Sequence, residues 1–194
     1  MIRKLSSLQL TVDIVVGAGW FMITAVAGGI HLVNAVVAFG MGIALAVRRV
    51  SPALALIVAW VFSLGQVSIG APPEPANLAI LPVLYATSAY GSRTLRWVGF
   101  ASTFLGAAVI TASLLLPNFV GNALSIGPTI IVGPDAVALA RSSVVVFAGS
   151  AAAFLLSWTA GLLTRIWRQA RENRQAAAAA TEEMVAEQER VRIA

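Results

Sequence analysis

The sequence contains no cysteine, a single histidine and charged residues at only 11% of its positions. The first absence excludes disulfides, cysteine metal sites and thiol catalysis. One histidine leaves no zinc-type pair and no Ser-His-Asp set. There is also no Walker loop and no pair of carboxylates within one apolar segment, so the chain shows no catalytic centre. The scarcity of charge has the widest consequence. Set beside 59% hydrophobic residues and a mean hydropathy of +0.87, it places the chain outside the composition of soluble domains.

What is present is a succession of apolar runs. The spacing predicts spans at 9–28, 31–47, 52–70, 76–92, 97–116 and 141–163, each near the length that crosses a bilayer. The fold class that follows is all-α: a polytopic membrane helix bundle of about six transmembrane helices over residues 1–163, then a cytoplasmic linker or coiled-coil helix over 164–194. Met1-Ile2-Arg3-Lys4 opens like a secretory signal. Ala27-Gly28-Gly29, however, is a poor cleavage site followed directly by a second apolar run, so the first helix reads as retained.

The net charge of +5 and the pI near 11.1 are not a nucleic-acid footprint, because the basic residues are dispersed in short clusters between spans. Arg3 and Lys4, Arg48 and Arg49, Arg93 and Arg96, and Arg165, Arg168, Arg171 and Arg174 all fall on one side of a six-span chain. The other side holds Ala71–Pro75 with Glu74, and the segment Pro117–Ala140 with Asp135. The positive-inside rule then puts both termini in the cytoplasm. Asn118–Ala140 carries Ile130, Ile131, Val132, Val137 and Leu139. It reads either as an interfacial connector capping the bundle or as an amphiphile-facing sensing element.

Candidate sensing residues are few. Asp13 is the one acid within an expected span; it either finds a donor or water near the interface or makes a packing or signalling contact inside the bundle. His31 is an interfacial polar residue, or an inter-subunit haem or metal ligand, since one imidazole cannot supply two axial ligands within a chain. Asn34, Ser63, Gln66, Asn77, Tyr85 and Ser88 are either interhelical hydrogen-bonding residues or the lining of a small polar cavity. Pro82 is expected to kink the fourth span. Gly17, Gly19, Gly40, Gly42, Gly106 and Gly149 would permit close helix approach. Trp97 and Trp167 fall at the cytoplasmic boundary, with Trp158 about one turn deeper, and Trp20 and Trp60 lie within spans.

Beyond the sixth span no proline or glycine interrupts the chain, so span and tail are expected to form one helix. A heptad reading puts Ala170, Ala177, Met184 and Val191 at a positions and Ile166, Asn173, Ala180, Glu187 and Ala194 at d positions. Alanine supplies little area and Asn173 and Glu187 are polar, so the seam is weak. It is either a solvated helix or a parallel homodimer seam whose register can shift.

The run Glu187-Gln188-Glu189-Arg190-Val191-Arg192-Ile193-Ala194 resembles the segment directly before the phosphoacceptor box of sensor histidine kinases of the DesK/NarX-like class, where E-R-x-R-I-A is followed by an R-x-x-H-D type box. The layout of several spans and an arginine- and alanine-rich linker is similar to the membrane domain of actinobacterial members. The resemblance implies a dimeric input domain of a two-component sensor kinase, truncated just before the box. The missing region would hold the phosphoacceptor histidine, ATP and Mg and engage a response regulator. His31, across the membrane from ATP, does not match that phosphoacceptor. The input expected is intramembrane or at the outer surface, with membrane lipid a partner, no cofactor in this chain and no nucleic acid. A small transporter or channel subunit and a non-catalytic membrane scaffold are the rival readings.

Overall fold

The computed structural model describes residues 6–27, 31–115 and 134–193. Among them there is no strand. The elements are α1 (Ser7–Ala27), α2 (Leu32–Val47), α3 (Pro52–Ser68), a 3-10 turn (Pro75–Ala79), α4 (Ile80–Tyr90), α5 (Arg93–Leu115) and α6 (Pro134–Ile193). Three of these are long and apolar enough to cross a membrane: α1, α5 and the Ala140–Met184 part of α6. The helices α2 and α3 are shorter and also apolar.

Local chemistry sets the breaks. Ser51, in extended conformation, accepts from the Leu54 amide at 3.4 Å with Pro52 at the first helical position, so α3 begins there. Gly70, at φ 71°, turns the chain after α3. α6 opens on Pro134, earlier than the expected span, and runs without interruption for 60 residues. Proline at the first helical position loses no intrahelical bond, and nothing later in the sequence stops the helix. The other expected connector residues, 117–133 with Ile130, Ile131 and Val132, lie outside the described residues.

The fourth expected span is where the structure departs from a simple bundle. A 3-10 turn precedes the 11-residue α4, with Ala76 and Ala79 buried against α1 and α2. Pro82 sits in the first turn of α4, where its missing N–H costs little. The expected kink within a continuous helix is therefore a change of helix type. Such a break is tolerated inside a bundle only if its free backbone groups find partners, and they do. The Trp20 indole donates to the Ala76 carbonyl at 3.2 Å, the Gln66 amide to the Pro72 carbonyl, and the Glu74 amide to Asn77 Oδ1 at 2.8 Å.

α4 lies at the centre, contacting α2, α3, α5 and α6. Its Val83, Leu84, Ala86, Thr87, Ser88 and Ala89 are buried, and with Met41 and Leu45 of α2 they form the core. α1 lies along α2, with Gly17 and Gly42 so close that a Cβ on either would strike the other's carbonyl. A Cβ on Gly40 would overlap the Phe62 ring and one on Gly106 would press on the Phe154 ring, whereas a Cβ on Gly19 or Gly149 would meet nothing within 4 Å.

Candidate functional site: the α4–α6 seam and the cleft beside it

The long helix α6 is fastened to α4 by a run of polar contacts. Ser157 donates to the Leu81 carbonyl at 2.6 Å, Ser88 to the Trp158 carbonyl at 2.7 Å, and the Tyr85 hydroxyl to Thr164 Oγ1 at 3.1 Å. Gly161 sits between them, and a Cβ there would collide with Ser88 Oγ and the Tyr85 carbonyl. Further along, Arg165 donates to the Gly91 carbonyl at 2.8 Å, satisfying the C-terminal end of α4 with a cation where the helix dipole favours one. Arg168 donates to the Tyr90 hydroxyl at 3.3 Å and lies over its ring at 5.1 Å. The Trp158 indole ties the same stretch to α5 through the Arg96 carbonyl at 3.2 Å.

Near this end of the bundle, Asp13 is fully buried and ion-paired to Arg48 at 3.1 Å and to Arg49 at 3.6 Å. The donor is therefore supplied by the end of α2. Burial pushes the Arg48 guanidinium below its ordinary value, and the Asp13 carboxylate opposes that shift. The second Asp13 oxygen, Oδ2, has no protein partner.

Away from the arginines, Gln66 is 3% exposed and accepts from Asn77 Nδ2 at 3.0 Å while holding Pro72. Below this pair a narrow cavity of about 50 Å³ lies between α3, α4, α5 and α6, with Leu56, Trp60, Ser63, Ser102, Val109 and Phe154 in its wall. The Trp60 indole donates to Ser102 Oγ at 3.2 Å across it.

The structure thus brings together Gln66 with Asn77, and Tyr85 with Ser88, but in two separate places. Asp13 belongs to neither. His31 is exposed at the start of α2 and makes no side-chain cap there, Asn34 is half-buried in the next turn, and Pro82 supports the start of α4. No group of three metal-binding side chains occurs among the described residues. Of the linker seam, Ile166, Ala170, Asn173 and Met184 are exposed, and Glu187 and Val191 fall within α6. Sequence reasoning missed Arg165, Arg168, Thr164 and Gly161 as contact residues. The arginines stood out only as topology signals, although a cation one turn past a span is also well placed to reach a neighbouring helix terminus.

The exposed faces of α1, α5 and α6 carry Leu8, Val26, Val98, Leu105, Val144 and Leu156, while Asp13, Gln66, Thr87, Ser88 and Thr103 are buried. Apolar outside and polar at the helix contacts is the arrangement of a helical membrane domain, whose polar groups face inward. Within that class, the chain belongs to a family described as a domain of unknown function, DUF7134, whose model matches residues 3–168. No curated protein and no solved structure matches it.

Proposed function

We propose that this chain is the membrane input domain of a two-component sensor histidine kinase. The observation that carries the proposal is the seam: the central helix α4 is fastened by five side-chain hydrogen bonds to a helix that continues far beyond the bundle. A stimulus that moves α4 must move α6. The terminal run Glu187–Ala194, which resembles the approach to a phosphoacceptor box, gives that movement a recipient.

In this reading all six helical segments cross the inner membrane, α4 with its 3-10 turn making the fourth pass. Both termini are cytoplasmic and the arginine clusters lie on the inner face. Two chains pair through the part of α6 beyond Arg165, whose surface from Ile166 to Met184 is exposed all round. The heptad seam between the two α6 helices is weak, so two arrangements differ by a few kcal/mol and a modest stimulus repopulates them. ATP and Mg belong to the kinase region, which hands its phosphoryl group to a response regulator. The transporter reading loses its intramembrane carboxylate, because Asp13 is held by Arg48 and Arg49.

The test is to express the native reading frame through and beyond Ala194 and incubate the purified product with radiolabelled ATP and Mg. Label that is stable in alkali and lost in acid, on a histidine directly downstream, is the expected result. A stop codon at that point, or a downstream sequence without a histidine-aspartate box, overturns the assignment.

A further inference from the structure

Among the described residues, serine and threonine hydroxyls buried in helices are satisfied, mostly by a carbonyl one turn back: Thr24, Thr87, Thr103 and Ser88 all donate in this way. Ser63 is the exception among the described residues. It is 9% exposed, lines the cavity beside α3, and its Oγ has no partner. A buried hydroxyl without a partner costs about 1–3 kcal/mol, which marks a place where an acceptor from outside the chain would be welcome.

The cavity around it defines that acceptor's company. No side chain in its wall is charged, so an ion or a nucleotide has no counter-charge there. The volume of about 50 Å³ is several times the roughly 10–15 Å³ that one water needs, but the space is narrow and mostly apolar. α3 and α5 touch only lightly, and Leu64 and Leu105 on these two helices are exposed, so the gap between them gives onto the apolar outer surface. From Ser63 to Leu56 the slot follows α3 for roughly 10 Å at about 1.5 Å per residue. At the other end it is bordered by the amides of Gln66 and Asn77.

We propose that this cleft is a binding slot for the ester end of one acyl chain of a membrane phospholipid, with room inside for the first few methylenes. The chain enters sideways between α3 and α5, its ester carbonyl accepts from Ser63, its glycerol and head-group oxygens lie toward Gln66 and Asn77, and its first methylenes pack against Leu56 and Phe154. Phe154 belongs to α6, so occupancy bears directly on the output helix. As the kinase's stimulus this rests on the function proposed above; as a binding site it does not.

The experiment uses the full chain in phosphatidylcholine vesicles containing a photoreactive phosphatidylcholine with a diazirine in the acyl chain, with crosslinks mapped by mass spectrometry. Crosslinks are expected on the cavity-facing residues of α3 and α5, and Val109→Trp, which fills the slot, should lower them at least about fivefold. A second comparison needs no large side chain. The wild-type chain should favour the ester-linked lipid over its ether-linked analogue, which lacks the carbonyl, by about fivefold, the worth of one net hydrogen bond, and Ser63→Ala should abolish that preference. Labelling spread evenly over the outer faces of α1, α5 and α6 and indifferent to Val109→Trp overturns the slot. Equal labelling by ester and ether lipids overturns the role of Ser63. Since no kinase region takes part, slot binding that survives while downstream phosphorylation fails would discard the sensor reading alone.

Discussion

Ser88 Oγ on α4 and the Trp158 carbonyl on α6 are 2.7 Å apart, an approach possible because residue 161, one turn further along α6, has no side chain. This close helix contact in the seam is thus made by a hydroxyl and a glycine rather than by interlocking apolar side chains. It is specific in position and modest in energy.

Gly161→Leu should therefore open the seam. Overpacking costs about 1–3 kcal/mol, so the melting temperature in detergent is expected to fall. Gly149→Leu on the same helix, where no neighbour lies within 4 Å, should leave it unchanged. Equal effects of the two substitutions would mean that helix propensity, not the α4 contact, is being measured.

Asp13→Asn should destabilise the chain by an amount between the about 1.5–3 kcal/mol of a charged hydrogen bond and the about 3–5 kcal/mol of a broken buried pair. Arg49 is the more exposed partner at 3.6 Å, so Arg49→Gln should cost less than Arg48→Gln. A double-mutant cycle on Asp13 and Arg48, followed by unfolding in detergent, checks the coupling. Additive effects would show that the pair contributes nothing beyond its separate members.

The absence of cysteine makes topology directly measurable. Ile69→Cys, at the exposed end of α3, should react with a membrane-impermeant maleimide in intact cells, and Thr94→Cys, at the exposed start of α5, only after permeabilisation. The reverse pattern would invert the orientation proposed from the arginine clusters.

Inserting two alanines after Ala180 rotates everything downstream by about 200° at 3.6 residues per turn. If the chain is the proposed kinase input domain and its helix signals through register, the phosphorylation response should be lost or reversed while the bundle's stability stays the same. Unchanged signalling in a phosphorylation assay would reject a register-dependent helix.

Much of the fold was legible because lipid-facing helices announce themselves. The order of six helical segments followed from apolar runs punctuated by arginines, and the continuity of α6 from the lack of proline and glycine after Gly161. Less legible was anything decided by residues far apart in sequence. Pro82 reads as a kink in a span, but the carbonyls freed by the preceding break are held by Trp20 and Gln66, from α1 and α3. Glycine spacing likewise does not say which glycine meets another helix: of the six expected, Gly17, Gly40, Gly42 and Gly106 do and Gly19 and Gly149 do not, while Gly161 and Gly99, equally close to a neighbour, were not among them. Ser63 looked like any other intramembrane serine, because a missing partner is a property of packing and leaves no mark on the sequence.

The length of α6 has a mechanical consequence. From Thr164 to Ile193 the helix runs for roughly 45 Å at about 1.5 Å per residue, past the point where Arg165 and Arg168 grip α4. In the proposed input domain it would act as a lever with its fulcrum at that grip. A tilt of about 10° there, which shifts atoms at the seam by an ångström or so, carries the far tip some ~8 Å sideways over such an arm. The amplitude delivered downstream is then set by the arm's length and stiffness, so shortening it by whole heptads, with phase preserved, should diminish the response in proportion.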